Sequence, residues 1–87
     1  MPNNTSNVPV EFSGVVLAFS SAALHYLGEI SLEGRDKPQK NLVLAKQNID
    51  ILEMLRNKTR GNLTEEESKL LDQVLHDLQL KYVAGTR

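Results

Sequence analysis

The sequence predicts a small all-α domain of three helices, and three observations predict it. Apolar residues recur at three- and four-residue spacing in three separate stretches. Gly28 and Gly61 follow the first two stretches as helix stops, and Thr64 with Glu67 makes a helix-start signature ahead of the third. The chain has 87 residues, room for one domain and no more. A chain of this size buries only about 60–65% of the surface its unfolded form exposes, so its core is thin.

Residues 1–11 open with Asn, Pro, Thr and Ser and have almost nothing to bury, which predicts a disordered N-terminal tail. The first helix is expected over Phe12 to Leu27. It contains no Pro, and Gly28 is its C-cap candidate. Ser13 is the candidate cap at its start. Gly28 to Lys40 reads as a loop, with turn chemistry from Gly34 to Pro38 and room for a short turn around Ile30 and Leu32. The second helix is expected from Asn41, a good N-cap, to Arg60. Leu42, Ala45, Ile49 and Leu52 carry its apolar stripe, while Lys46 and Asp50 pair on its polar side. The third helix is expected from Thr64 to Val83. Its capping box is Thr64 with Glu67, its stripe is Leu71, Val74, Leu75, Leu78 and Tyr82, and Glu65–Lys69 and Asp77–Lys81 are spaced as ion pairs. Only Gly61, Asn62 and Leu63 join the second and third helices, which forces an antiparallel hairpin. The domain is expected over residues 12–84, with residues 85–87 frayed.

The first helix is the unusual element. From Ser13 to Leu27 its one readily ionisable side chain is His25. Phe12, Val16, Phe19, Ala23 and Tyr26 form one face. Leu17, Ser20, Leu24 and Leu27 form a second. Gly14, Ala18, Ser21, Ala22 and His25 form a third, nearly all small. A helix without a charged face is normally buried all round, and the hairpin covers only part of it. Small residues at this spacing let two backbones approach closely. The expectation is therefore a homodimer or higher oligomer that completes the bundle, with Gly14, Ala18, Ser21, Ala22 and His25 at its interface.

Composition narrows the function classes. Ten basic and eleven acidic residues give a net charge of −1, with no basic stripe to track nucleic acid. The absence of cysteine excludes disulfides and thiolate metal sites. The longest run without Asp, Glu, Lys or Arg that is also apolar, Val15 to Leu27, is shorter than the about 20 residues a stable membrane span needs. Glu11 is the one charged side chain ahead of it, unlike the basic start of a signal peptide, so the cytoplasm is expected. Asn-x-Ser/Thr triplets begin at Asn3, Asn4, Asn57 and Asn62 and would matter only in a secreted chain.

Catalytic chemistry is not expected. His25 and Tyr26 are adjacent, so on a helix they point about 100° apart. A buried, hydrogen-bonded His25 is the simpler reading. Asp72 and His76 lie four apart on the third helix, yet two ligands do not make a metal site, and a solvated charged face explains them. Capping accounts for Glu65-Glu66-Glu67. No phosphate loop or nucleophile elbow is present, and no cofactor is expected. The reading is a homo-oligomeric structural or protein-interaction module, whose first partner is itself and whose second would be another protein. The alternative is a small-molecule or lipid binder that uses the apolar surface of the first helix.

Three segments resemble a known family. They are the apolar helix ending His25-Tyr26-Leu27-Gly28, the run Asn41-Leu42-Val43-Leu44-Ala45-Lys46-Gln47 continuing Ile49 to Leu55, and the run Lys58 to Glu67 continuing to Leu70-Leu71-Asp72 and Tyr82-Val83. Across Phe12 to Val83 the chain is similar to a small bacterial family catalogued as domain of unknown function 1844. The resemblance implies a bacterial, cytoplasmic, helical protein. It carries no activity and no catalytic or binding residue to transfer.

Overall fold

The computed structural model describes residues 10–31 and 40–86. Over them the chain forms α1 (Phe12–Tyr26), α2 (Leu42–Lys58) and α3 (Glu65–Gly85), with no strand among the described residues. Each helix packs against the other two. The expected tail over residues 1–9, the expected turn chemistry over 32–39 and Arg87 lie outside the described residues.

The start of α1 differs from the sequence expectation. Glu11, not Ser13, is the N-cap residue, and its side chain caps nothing. Helical backbone begins at Phe12, which puts Ser13 inside the first turn. Its hydroxyl donates to Glu11 Oε2 at 3.4 Å instead. The other end matches expectation. Gly28 sits at φ +85°, its amide donates to the His25 carbonyl at 3.0 Å, and the Glu29 amide donates to the Leu24 carbonyl at 2.9 Å. That pair of bonds around a left-handed glycine is a Schellman motif. The Asn41 amide then donates to the Tyr26 carbonyl at 2.7 Å, which ties the start of α2 to the end of α1.

Asn41 caps α2 by accepting from the Leu44 amide at 3.1 Å. The helix stops at Lys58, two residues earlier than expected, with Thr59 as its C-cap, whose hydroxyl and amide both donate to the Leu55 carbonyl. Gly61 then turns the chain at φ +86°, and the Asn62 amide closes the turn onto the Thr59 carbonyl at 2.8 Å. The capping box of α3 is complete: Thr64 Oγ1 accepts from the Glu67 amide at 3.1 Å, and Glu67 Oε1 accepts from the Thr64 amide at 2.9 Å. The helix runs past the expected end at Val83 to Gly85, which packs close to Leu42, with Thr86 as its C-cap. Among the described residues Lys46–Asp50 and Asp77–Lys81 pair as expected, whereas Glu65 and Lys69 do not.

One core joins the three helices. Val16, Ala23 and Leu27 come from α1 and its cap, Ala45, Ile49 and Leu52 from α2, and Leu71, Leu75 and Leu78 from α3. Each long aliphatic side chain buried in this way contributes about 1.5–3 kcal/mol. Phe12, Phe19, Tyr26, Leu55, Val74 and Tyr82 pack around its rim.

Candidate interaction surface

The helix pair α2 and α3 covers one side of α1 and leaves the other open. Val16 and Ala23 are fully buried on the covered side, with Phe12, Phe19 and Tyr26 packed beside them. Val16 and Ala18 are two residues apart, so they project about 200° apart around the helix. Ala18 and Gly14 are accordingly exposed, while Ser21 and Ala22 are half-buried. Val15 and Leu17 flank this strip at 37% and 52% exposure. The open side of α1 therefore carries Gly14, Val15, Leu17, Ala18, Ser21 and Ala22, with no formal charge among them. The hydroxyl of Ser21 is its one side-chain hydrogen-bonding group. Such a strip offers close backbone approach and apolar contact, and nothing that moves a proton or polarises a bond.

His25 is placed apart from the other four expected interface residues. It is 1% exposed and lies inside the chain. Its Nδ1 is 3.2 Å from the Ile30 carbonyl, which can only accept, so Nδ1 carries the proton. Its ring meets Tyr26 edge-on, with centroids 5.0 Å apart. Nε2 is buried and has no partner among the described residues.

The remaining polar candidates are also placed. Asp72 Oδ1 faces Arg56 Nη1 across the hairpin at 3.5 Å, and His76 is exposed on α3. Among the described residues, no group of three or more His, Cys, Asp or Glu side chains is arranged to hold a metal ion. No described helix is long and apolar enough to cross a membrane. Sequence reading misses two features. Val15 and Leu17 belong to the open strip, and a count of how much of α1 a two-helix hairpin can cover would have included them. The Arg56–Asp72 pair joins residues far apart in sequence and leaves no local signal.

Comparison with known families places the chain. A family model described as "Domain of unknown function (DUF1844)" matches residues 9–84. Neither a curated protein nor a solved structure matches the chain.

Proposed function

The chain belongs to the DUF1844 family, a domain of unknown function, and from that premise we propose a non-catalytic, homo-oligomeric interaction module that pairs through the open side of α1. The observation that carries this reading is the uncharged strip of Gly14, Val15, Leu17, Ala18, Ser21 and Ala22. An apolar surface of that kind is stabilised by removal from water. A second copy presents the matching surface, uncharged and small, so two strips meet without burying a lone charge. The non-catalytic part is supported by how the polar candidates are used. His25 is taken up by the Ile30 carbonyl, Asp72 faces Arg56, and neither converges with a nucleophile. The cytoplasm is the proposed setting, resting on the sequence reading alone.

Native mass spectrometry across a wide concentration range tests the proposal. A clean multiple of the chain mass, growing with concentration, is the expected result. A single chain carrying extra bound mass would replace the reading with a small-molecule or lipid binder. A bare single chain at every concentration would overturn it.

A further inference from the structure

In contrast to the α1 strip, the end of the hairpin is polar and concave. A cleft of about 370 Å³ opens where α2 meets α3, lined by Arg56, Arg60, Gly61, Leu63, Ser68 and Asp72 among others. That volume lies at the small end of the roughly 300–1,000 Å³ range of small-molecule sites.

Its two guanidinium groups are each held by one edge. Arg56 Nη1 is 3.5 Å from Asp72 Oδ1, and Arg60 Nη2 donates to Asn57 Oδ1 at 3.1 Å. A guanidinium has five N–H donors, so one contact orients each side chain and leaves the rest of the fork unused. Ser68 adds a hydroxyl from the first turn of α3. Gly61 adds backbone: among the described residues the Arg60 and Gly61 amides meet no backbone acceptor. Two positive groups against the single carboxylate of Asp72 leave the lining with a net positive charge.

We propose that this cleft binds the phosphate group of a small soluble molecule. Two separate forks and a hydroxyl match a tetrahedral anion with several acceptor oxygens better than they match a single planar carboxylate. The cleft gathers two cations on a chain of net charge −1 that has no basic stripe, which fits a small anion and not a nucleic-acid backbone. Leu63 gives the cleft one apolar wall for the remainder of such a molecule.

The test is an NMR titration of the full chain with inorganic phosphate and then pyrophosphate at constant ionic strength. Saturable shifts of the Gly61, Leu63 and Ser68 amides are expected. Arg56→Gln and Arg60→Gln should each weaken binding roughly ten-fold, the scale of one lost charge-assisted hydrogen bond. Lys58→Gln, a neighbouring cation that does not line the cleft, should leave binding unchanged. Circular dichroism of each variant confirms that the exposed changes leave the helices intact. A parallel arm uses vesicles containing phosphatidic acid. Vesicle binding without a response to soluble phosphate would overturn the soluble ligand, as would no saturable shift, or equal shifts in the double arginine variant. The measurement is independent of assembly through α1, so either proposal can fail alone.

Discussion

His25 shows what a single side chain can hide from a periodicity argument. It lies seven residues from Ala18, so the two point to within about 20° of each other around α1. Ala18 is nevertheless exposed and His25 is buried. The difference comes from the backbone beyond the helix. The Schellman motif at Gly28 turns the chain so that the Ile30 carbonyl reaches His25 Nδ1. The sequence reading of a buried, hydrogen-bonded His25 agrees with this, but a helical wheel has no place for a loop that folds back over its last turn, so the same reading also groups His25 with Gly14, Ala18, Ser21 and Ala22 at an interface. His25→Ala should empty a buried site and release that loop, costing on the order of 2 kcal/mol in chemical denaturation; an unchanged midpoint would mean that the ring packs nothing. Lys46 is a second residue with a readable role. Its hydrogen bond to Asp50, and then the charge of Asp50, hold its pKa above the ordinary 10.5. The folded value is the raised one, so the stabilisation is full below 10.5 and is lost as pH rises through the folded value. The melting-temperature gap between wild type and Lys46→Met should therefore be small, because the pair is exposed, and should close in that alkaline range.

At the scale of elements, the turn between α2 and α3 decides whether there are two helices or one. A methyl group added at Gly61 would meet open space, yet the residue sits at φ +86°, so Gly61→Ala carries backbone strain without a clash. About 1 kcal/mol is expected. Thr64→Ala removes a cap that accepts from the Glu67 amide and should cost about 1 kcal/mol as well. Thermal melts of both variants check this. If neither shifts, the caps do not hold this turn. These local devices are the part of the fold most legible in sequence, because Gly28, Asn41, Gly61 and the Thr64–Glu67 box act within a few residues of themselves. The stripes of α2 and α3 are equally legible, since Ala45, Ile49, Leu52, Leu71, Leu75 and Leu78 keep strict helical spacing. The start of α1 is not. Ser13 is a favoured capping residue, but Glu11 occupies the extended position and the helix forms without a side-chain cap. The cleft at the hairpin end is not legible either, because Arg56 and Asp72 are brought together only by the antiparallel packing of α2 and α3.

For the whole molecule, the question is whether one chain is enough. The uncharged α1 argues for a helix buried all round, yet the folded chain already owns a core that runs through all three helices. Folding of the single chain is therefore expected not to require the proposed pairing. The open strip follows a helix of 15 residues, about 22 Å long. If paired helices remove ~400 Å² of apolar surface per subunit, the gross gain is on the order of 10 kcal/mol per chain before the cost of association. That area is about half of the ~800 Å² per partner typical of a stable interface, so pairing should depend on concentration. Ala18→Glu puts a carboxylate in the middle of the strip, where pairing would bury it without a partner. In the single chain the same side chain points to water. The variant should therefore lose the oligomer and keep its helicity. Ala23→Glu, in the fully buried side of α1, should lose both. Lys46→Glu, on the exposed side of α2, should leave the oligomer intact. Light scattering over a wide concentration range, with circular dichroism on the same samples, separates these outcomes. A wild-type chain that stays monomeric at high concentration would sink the pairing. An Ala18→Glu variant that assembles like wild type would move the contact off this strip.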